Sequence, residues 1–136
     1  MNTFALKILA SDHPFYDGRC KMAILPAPDG QLGIMANHAD TVAALEIGEI
    51  QIQKEDESWF SALIGKGIVQ FINNRMTILT EFAEYPEEID AKRAQAAKQR
   101  AEERLRQKQS IQEYHQSSAA LARALARLKE KERTLQ

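Results

Sequence analysis

The sequence predicts an α+β fold in which an N-terminal antiparallel β-sandwich of eight to ten strands is followed by a C-terminal two-helix antiparallel hairpin. The chain has 136 residues and a formal net charge of −1, yet residues 1–86 carry a net charge of −5 and residues 87–136 one of +4. All six glycines lie at or before Gly67 and all four prolines at or before Pro86, so the last fifty residues contain no backbone breaker. Two differently built halves are therefore expected.

The first strands are predicted from short apolar segments that end at turn residues. Apolar side chains alternate with others along residues 4–8, and Asp17-Gly18 predicts a turn after them. The apolar segment of residues 22–25 runs into the breaker of residues 26–30, and each segment is too short for a helix with a core. These residues therefore predict two or three short strands.

The rest of the first half repeats this pattern. Ile50-Gln51-Ile52-Gln53 alternates as a half-buried strand should, and Lys54–Ser58 predicts a charged hairpin tip. Asn73-Asn74 predicts the clearest hairpin, because asparagine tolerates the left-handed backbone of a tight turn. Further strands are predicted at residues 33–35, 41–45, 59–64, 68–72 and 76–82. Turn signals at this spacing indicate a compact sandwich or flattened barrel.

The second half changes to helical signals. Pro86 stops the last strand, and acidic residues follow where a starting helix exposes unpaired N–H groups. Ser110 and Glu113 have the spacing of a capping box, which predicts a second helix start. We expect helices over residues 90–108 and 111–133, folded back as a hairpin. The predicted domains are 1–84 for the sandwich, 85–89 for a linker and 90–136 for the hairpin.

The predicted apolar stripes of the hairpin are narrow. Helix one offers mainly Ala91, Ala94, Ala97, Ala101 and Leu105, and helix two offers Ile111, Tyr114, Ser118, Leu121, Leu125, Leu128 and Glu132. Alanine buries little surface, at about 0.8 kcal/mol per missing methylene relative to leucine. We therefore expect a marginal hairpin whose open and closed states differ by a few kcal/mol. Two static helices that cap the sandwich remain the alternative.

Little in the sequence indicates catalysis. His13, His38 and His115 lie in different segments, and no nucleophile triad, zinc-ligand spacing or phosphate-binding glycine loop is present. Cys20 cannot form an internal disulfide and is expected to be a buried apolar side chain. No apolar run approaches the roughly 20 residues that span a bilayer, and no export signal is visible, so we expect a soluble chain that is not exported.

Four arginines form the one group of residues that predicts binding. Arg93 and Arg100 share a face of helix one, and Arg123 and Arg127 share a face of helix two. Folding the helices back places Arg93 opposite Arg127 and Arg100 near Arg123. Converging guanidinium groups repel one another unless an anion lies between them, so a polyphosphate such as ATP would close the hairpin. The alternative is a solvated basic face with local acidic partners such as residues 102 and 103.

Several segments, in this order, resemble the epsilon subunit of F-type rotary ATP synthases. In the first half they are Phe15-Tyr16-Asp17-Gly18, Asp29-Gly30-Gln31-Leu32-Gly33-Ile34, His38, Leu45, Gly48, Gly65-Lys66-Gly67-Ile68 and Asn74-Arg75-Met76-Thr77-Ile78-Leu79. In the second half they are Ile89-Asp90-Ala91-Lys92-Arg93-Ala94, Ala101-Glu102-Glu103-Arg104-Leu105 and Ala119-Ala120-Leu121-Ala122-Arg123-Ala124-Leu125. The resemblance covers nearly the whole chain.

The resemblance implies a non-catalytic subunit of the central stalk of a bacterial ATP synthase. It implies a sandwich bound to the gamma subunit and to the membrane rotor ring, and helices that either fold or extend into the catalytic head of alpha and beta subunits, where they inhibit ATP hydrolysis. The chain would help to couple an ion gradient to ATP synthesis from a peripheral position on the cytoplasmic side of the cell membrane. The resemblance further implies that no cofactor is required and that ATP is a regulatory ligand, which stabilises the folded hairpin.

The resemblance also implies site residues. The positions that match the family's ATP-binding pattern are Glu84, Ile89, Asp90, Arg93, Ala94, Arg100, Arg123 and Arg127. Contacts with the rotor ring or gamma fall on Gln31 and His38, and the inhibitory basic face on Arg123, Arg127, Lys129, Lys131 and Arg133. The family commonly has Leu-Pro-Gly-His-Ala-Pro where this chain has Met35-Ala36-Asn37-His38-Ala39-Asp40, and many members have an acidic residue at position 31. The loop after Ile34 is therefore expected to differ in shape.

Two other functions remain as alternatives. The first is a free-standing ATP-sensing module whose hairpin closes on the nucleotide. The second is nucleic-acid binding through the basic helices, which is disfavoured because acidic residues interrupt the positive charge and no aromatic residues are interleaved with it.

Overall fold

The computed structural model describes residues 2–106 and 111–135. Within these ranges lie nine strands, a 3-10 turn and two α-helices, in the order β1 (Phe4–Ala10), β2 (Pro14–Ala27), β3 (Gly30–Met35), β4 (Thr41–Leu45), β5 (Gly48–Lys54), β6 (Trp59–Ile64), β7 (Gly67–Ile72), β8 (Arg75–Thr80), β9 (Ala83–Glu84), the 3-10 turn (Pro86–Glu88), α1 (Ala91–Arg106) and α2 (Ile111–Leu135). The chain divides into two compact units, Met1–Tyr85 and Pro86–Gln136. The predicted fold class, a sandwich followed by two helices, is confirmed.

The strands of the first unit form two layers that share β2. Strands β4, β7, β8 and β1 pair in this order, and the first half of β2 continues this layer by pairing with β1. The second half of β2 pairs with β3 and with β5, and β6 and β9 extend the second layer. The β2–β5 register shifts between Cys20 and Met22, close to where β2 changes partners. One long strand therefore belongs to both layers.

The core between the layers is built from the inward-facing positions of the strands. Phe4 and Phe71 meet edge to face, with ring centroids 5.3 Å apart. Other side chains with less than 2% of their surface exposed include Leu6, Ile8, Leu25, Ile34, Ile50, Ile52, Ile64, Met76 and Ile78. Each such side chain stabilises the fold by about 1.5–3 kcal/mol through its removal from water.

The predicted turn at Asp17-Gly18 is wrong. Both residues lie inside β2, where Asp17 pairs with Lys7 and Gly18 with Leu6 of β1. A Cβ atom at Gly18 would lie 3.0 Å from the Tyr16 hydroxyl oxygen, so the missing side chain leaves room for the Tyr16 ring. The glycine therefore accommodates an aromatic neighbour within a strand instead of forming a turn.

The sheet is mostly, but not entirely, antiparallel. Strands β1 and β8 run parallel, with Ala5 paired to Arg75 and Ala10 to Thr80. Parallel neighbours require a long connection, and here the intervening strands β2 to β7 provide it. The local alternation of apolar residues carries no information about the direction of a partner so distant in sequence.

Two predicted hairpins are confirmed. Strands β5 and β6 pair across the tip of residues 54–58. Strands β7 and β8 pair across Asn73 and Asn74, whose φ angles of 51° and 60° lie in the left-handed region that asparagine tolerates. The residues of the two turns were sufficient to predict both hairpins.

The helices begin and end close to the predicted positions. The structure has α1 over 91–106 and α2 over 111–135, where the sequence predicted 90–108 and 111–133. Asp90 precedes α1, and its Oδ1 atom accepts hydrogen bonds from the backbone N–H groups of Lys92 at 3.0 Å and Arg93 at 3.1 Å. It is the N-cap residue of the helix. The predicted cap at Ser110 lies outside the described residues.

Candidate functional site

The two helices of the second unit contact each other through small side chains. Ala94 and Ala101 are buried on α1, and Ser117 and Ala124 are buried on α2. The members of each pair are seven residues apart, about two helical turns, so they lie on one line along their helix. An antiparallel arrangement places Ala94 across from Ala124 and Ala101 across from Ser117. Small side chains on both lines allow the helix axes to approach closely.

The buried line on α2 differs from the predicted stripe. Tyr114 and Leu125 are about half exposed and Ser118 is exposed, whereas Ser117 and Ala124 are buried. Leu121 and Leu128 of the predicted stripe are partly buried and lie about 40° around the helix from Ser117 and Ala124, so the interface keeps only this side of the predicted stripe. On α1 the buried Ala94 and Ala101 both belong to the predicted stripe.

A second contact supports the same arrangement. Lys131 Nζ donates a hydrogen bond to the Pro86 carbonyl oxygen at 3.5 Å, which links the end of α2 to the 3-10 turn before α1. The contact supports an antiparallel arrangement, because it brings the end of α2 beside the segment that precedes α1. The register differs by roughly two residues, about 3 Å along the axis, from the one predicted by sequence.

In this register the four predicted arginines lie on one side of the hairpin, which we call the basic flank (Arg93, Arg100, Arg123 and Arg127). Arg93 and Arg100 each immediately precede a buried alanine of α1, and Arg123 immediately precedes Ala124 of α2. Because the helices are antiparallel, residues that precede the interface line on either helix point to the same side. Arg127, three residues after Ala124, lies on this side as well.

The basic flank has three closer members and one more distant member. Along the hairpin axis Arg93 lies between Arg123 and Arg127, at about 3 Å from the level of each. Arg100 is about 7.5 Å from the level of Arg123, which is more than the sequence register predicted. Arg93 and Arg100 are exposed, and Arg123 and Arg127 are partly buried.

The other residues predicted to bind ATP have structural roles in their own units. Asp90 caps α1, and Ile89 and Ala94 are each 4% exposed. Glu84 belongs to the sandwich unit, where it pairs with Leu63 at the end of β6. ATP binding by this set stays a prediction.

The five residues of the predicted inhibitory face do not share one face of α2. Arg123, Arg127 and Lys131 lie near the interface line or beside it, whereas Lys129 and Arg133 lie nearly half a turn away. Lys131 contacts the Pro86 carbonyl oxygen, and Arg133 lies 3.8 Å from the carboxylate of Glu130. In the folded hairpin these cations therefore point in different directions.

The two predicted contact residues of the sandwich lie toward opposite ends of β3. Gln31 is near its start, His38 follows its end, and both are exposed. The residues from Gln31 to Met35 alone span about 13 Å of extended strand. The structure therefore does not bring Gln31 and His38 together, and they cannot form one small contact site.

The sandwich carries an exposed apolar surface that was not predicted from the sequence. Val42, Ile68 and Leu79 are 68%, 43% and 44% exposed. They lie on the outward side of neighbouring strands, where Ile68 pairs with both Ala44 and Leu79, and Leu79 pairs with Leu9. We call this surface the outer apolar face (Leu9, Val42, Ala44, Ile68, Ile72 and Leu79). The sequence of β7 could have indicated this surface, because apolar residues occur on both faces of the strand. A strand with one solvent-exposed face normally alternates apolar and polar residues.

The described titratable groups with shifted pKa values lie outside both surfaces. Burial raises the pKa of Cys20 to about 12, and burial is also the main cause of the raised pKa of Tyr16. Hydrogen bonds from Ser58 lower the pKa of Asp56, and the Lys21 ammonium group, 2.9 Å away, lowers that of Glu57. These shifts reflect packing and exposed turn contacts, and they indicate no catalytic acid or base.

Neither metal sites nor membrane spans were found in the described ranges. Among residues 2–106 and 111–135, no three histidine, cysteine or acidic side chains are grouped so that they could hold a metal ion. In the same ranges neither helix is both long and apolar enough to cross a membrane.

Two domain families together match most of the chain. The family described as ATP synthase, Delta/Epsilon chain, beta-sandwich domain matches residues 3–86, and the corresponding long alpha-helix domain matches residues 87–131. The ATP synthase epsilon chain of Ruminiclostridium cellulolyticum is 46% identical over 94% of this chain and 95% of its own. That of Caldanaerobacter subterraneus subsp. tengcongensis is 47% identical over 93% of this chain and 92% of its own.

A solved structure has the same fold. One chain in the cryo-EM structure of the Euglena gracilis mitochondrial ATP synthase (OSCP/F1/c-ring) superimposes with a TM-score of 0.74 at 21% identity, over 96% of this chain and 80% of that one. The relatives and the family confirm the predicted resemblance, and they confirm that the chain is a subunit and not an enzyme by itself. From the two matched domains and these relatives, we conclude that the chain belongs to the epsilon-chain family of the ATP synthase.

Proposed function

We propose that the sandwich anchors the chain on the gamma subunit of the central stalk through the outer apolar face. The exposure of Val42, Ile68 and Leu79 on neighbouring strands carries this proposal, because a contiguous exposed apolar patch marks an interaction site. Ala44, Ile68, Leu79 and Leu9 form one row of paired positions, and the next row holds Val42 together with Gln70, Thr77 and Lys7. Apolar side chains with polar neighbours of this kind are typical of protein interfaces.

Binding to gamma tests the anchoring proposal directly. Ile68→Lys should weaken binding to the gamma subunit of the same organism at least tenfold, because the variant places a charge at the centre of the interface. Trp59→Lys is the matched control, since Trp59 is also half exposed but lies on β6, in the other layer. Biosensor titration would measure both affinities. Equal losses in the two variants, or no binding by the wild-type chain at micromolar concentration, would contradict the proposal.

The position of the chain in the complex is part of the same proposal. The Euglena structure with a similar fold contains a c-ring by its title, and Gln31 lies exposed beside the turn that joins β2 to β3. We propose that this end of the sandwich contacts the rotor ring and that His38, at the other end of β3, lies toward gamma. The chain would then be peripheral to the bacterial membrane on its cytoplasmic side, and would couple the ion-driven rotor to the catalytic head.

For the hairpin we propose ATP binding at the basic flank. Arg93, Arg123 and Arg127 lie at similar levels along the axis, and the oxygens of a triphosphate between them would accept hydrogen bonds from their guanidinium groups. The bound nucleotide would thereby stabilise the folded hairpin. In its absence the helices would open and present Arg123, Arg127, Lys129, Lys131 and Arg133 to acidic groups on the alpha and beta subunits, which would inhibit ATP hydrolysis.

Calorimetric titration with ATP tests the basic flank. Arg93→Ala and Arg127→Ala should each weaken binding about tenfold or more, because each removes a charged donor to phosphate. Arg106→Ala is the control: Arg106 is exposed, lies 3.8 Å from Glu102 and points away from the flank. Unchanged affinity in both flank variants would contradict the arginine site. A free-standing ATP-sensing module would give the same heats of ATP binding but would not bind gamma. The ATP titration and the gamma titration together therefore distinguish this alternative from a stalk subunit.

A further inference from the structure

Two separate hydrogen bonds tie the loop of residues 36–40, between β3 and β4, to the β7–β8 turn. The Asn37 backbone N–H donates to Asn74 Oδ1 at 2.7 Å. In the other direction, the Asn73 backbone N–H donates to Asp40 Oδ1 at 3.3 Å. Each segment therefore supplies a side-chain acceptor for a backbone donor of the other, and the two hold each other in place.

Asn74 links these two segments to a third, the start of β1. Its Nδ2 atom donates to the Thr3 carbonyl oxygen at 2.9 Å, while the backbone carbonyl oxygen of Asn74 accepts from the Ala5 N–H at 3.4 Å. The side-chain oxygen of Asn74 thus accepts a hydrogen bond from the loop, and the side-chain nitrogen donates one to the residue before β1. A residue with φ of 60° is required at this position, and asparagine meets that requirement together with both hydrogen bonds.

The loop borders the outer apolar face. Strand β4 begins at Thr41, directly after the loop, and its next residue is the exposed Val42. Strand β7 ends at Ile72, directly before the asparagine turn, so the loop and the turn lie at the same end of this face. Within the loop, the His38 ring packs edge-on against Phe71 with centroids 5.9 Å apart.

We propose that Asn74 is a positioning residue that fixes the loop of residues 36–40 in the conformation that gamma contacts at the edge of the outer apolar face. This inference rests on the proposed docking of that face on gamma. The loop contains no proline, and Asn37 has a φ of 65°, so its backbone depends on hydrogen bonds for its shape. Without the Asn74 acceptor the loop gains conformational freedom, and ordering it on binding opposes association.

Two adjacent substitutions give a matched test. Asn74→Gly keeps the left-handed backbone accessible but removes both side-chain hydrogen bonds. Asn73→Gly makes the same chemical change one residue earlier, where the backbone N–H and not the side chain bonds the loop. In biosensor titrations against gamma we expect about tenfold weaker binding for Asn74→Gly and a change below twofold for Asn73→Gly.

A third variant separates positioning from general stability. Asn74→Asp keeps an acceptor for the Asn37 N–H but loses the donor to Thr3. We expect it to bind gamma as the wild type does, with slow hydrogen exchange at the Asn37 amide, whereas Asn74→Gly exchanges faster there. Equal affinities of Asn74→Gly and Asn73→Gly, or equal losses in Asn74→Gly and Asn74→Asp, would overturn the positioning role while leaving the docking proposal intact. Absence of wild-type binding would overturn docking itself.

Discussion

At the scale of single residues, the Thr80 hydroxyl group links the end of β8 to the segment between β6 and β7. Its Oγ1 atom lies 2.9 Å from the carbonyl oxygen of Gly65, 3.2 Å from that of Phe82 and 3.3 Å from that of Lys66, and the residue is 7% exposed. The hydroxyl proton can serve one of these acceptors at a time. Thr80 therefore holds the β6–β7 connection beside the end of β8.

Thr80→Val tests this role without changing the shape of the side chain. We expect the free energy of unfolding to fall by about 1–3 kcal/mol, because a buried carbonyl group loses its donor. Urea unfolding would measure the loss. Thr77→Val, on the outward side of the same strand, is the control and should change stability by less than about 0.5 kcal/mol. Equal effects of the two substitutions would show that the carbonyl contacts contribute nothing specific.

Cys20 gives a second prediction at this scale. The side chain is fully buried and its pKa is raised from 9 to about 12 by burial. At pH 8 the thiolate fraction is therefore about a thousandfold smaller than that of an unshifted thiol, and alkylation requires the thiolate. Iodoacetamide should leave Cys20 unmodified in the folded chain for hours and label it promptly in urea. Rapid labelling of the folded chain would contradict the burial of this thiol.

At the scale of elements, the helical hairpin depends on a thin interface. Five side chains are buried in the described part of the helices; four of them are small, Ala94, Ala101, Ser117 and Ala124, and the fifth is Glu130. Such residues bury little apolar surface, so the interface contributes little of the hydrophobic free energy that larger side chains would. A hairpin that closes on small residues can open at low cost, which is what the proposed regulation requires.

Ala101→Leu should open the hairpin, because three added carbon atoms overpack a close helix contact at a cost of about 1–3 kcal/mol. Spin labels on the exposed Gln99 and Gln116 would report a longer interhelical distance in this variant. Ala122→Leu makes the same change at an exposed position of α2 and should leave the distance unchanged. Distances that stay the same in both variants would show that the interface has room for a larger side chain.

At the scale of the whole molecule, the sequence predicted what depends on neighbouring residues and missed what depends on distant ones. The hairpin turns followed from local chemistry at Asn73-Asn74, and the basic flank followed from helical spacing. The parallel pairing of β1 with β8 joins segments about seventy residues apart, and no local pattern reports it. The outer apolar face and the contacts of Asn74 likewise exist only after strands distant in sequence are neighbours.

The strand shared by both layers of the sandwich has a mechanical consequence. A pulling force between two separately hydrogen-bonded sheets would act on the side-chain contacts between them, which slide easily. Here the fourteen residues of β2 join the layers through covalent backbone, and the strand is bonded along its length to β1, β3 and β5. Shear between the layers must therefore break many backbone hydrogen bonds at once. If the sandwich docks on the central stalk as proposed, this stiffness would let it transmit torsion without its two layers slipping.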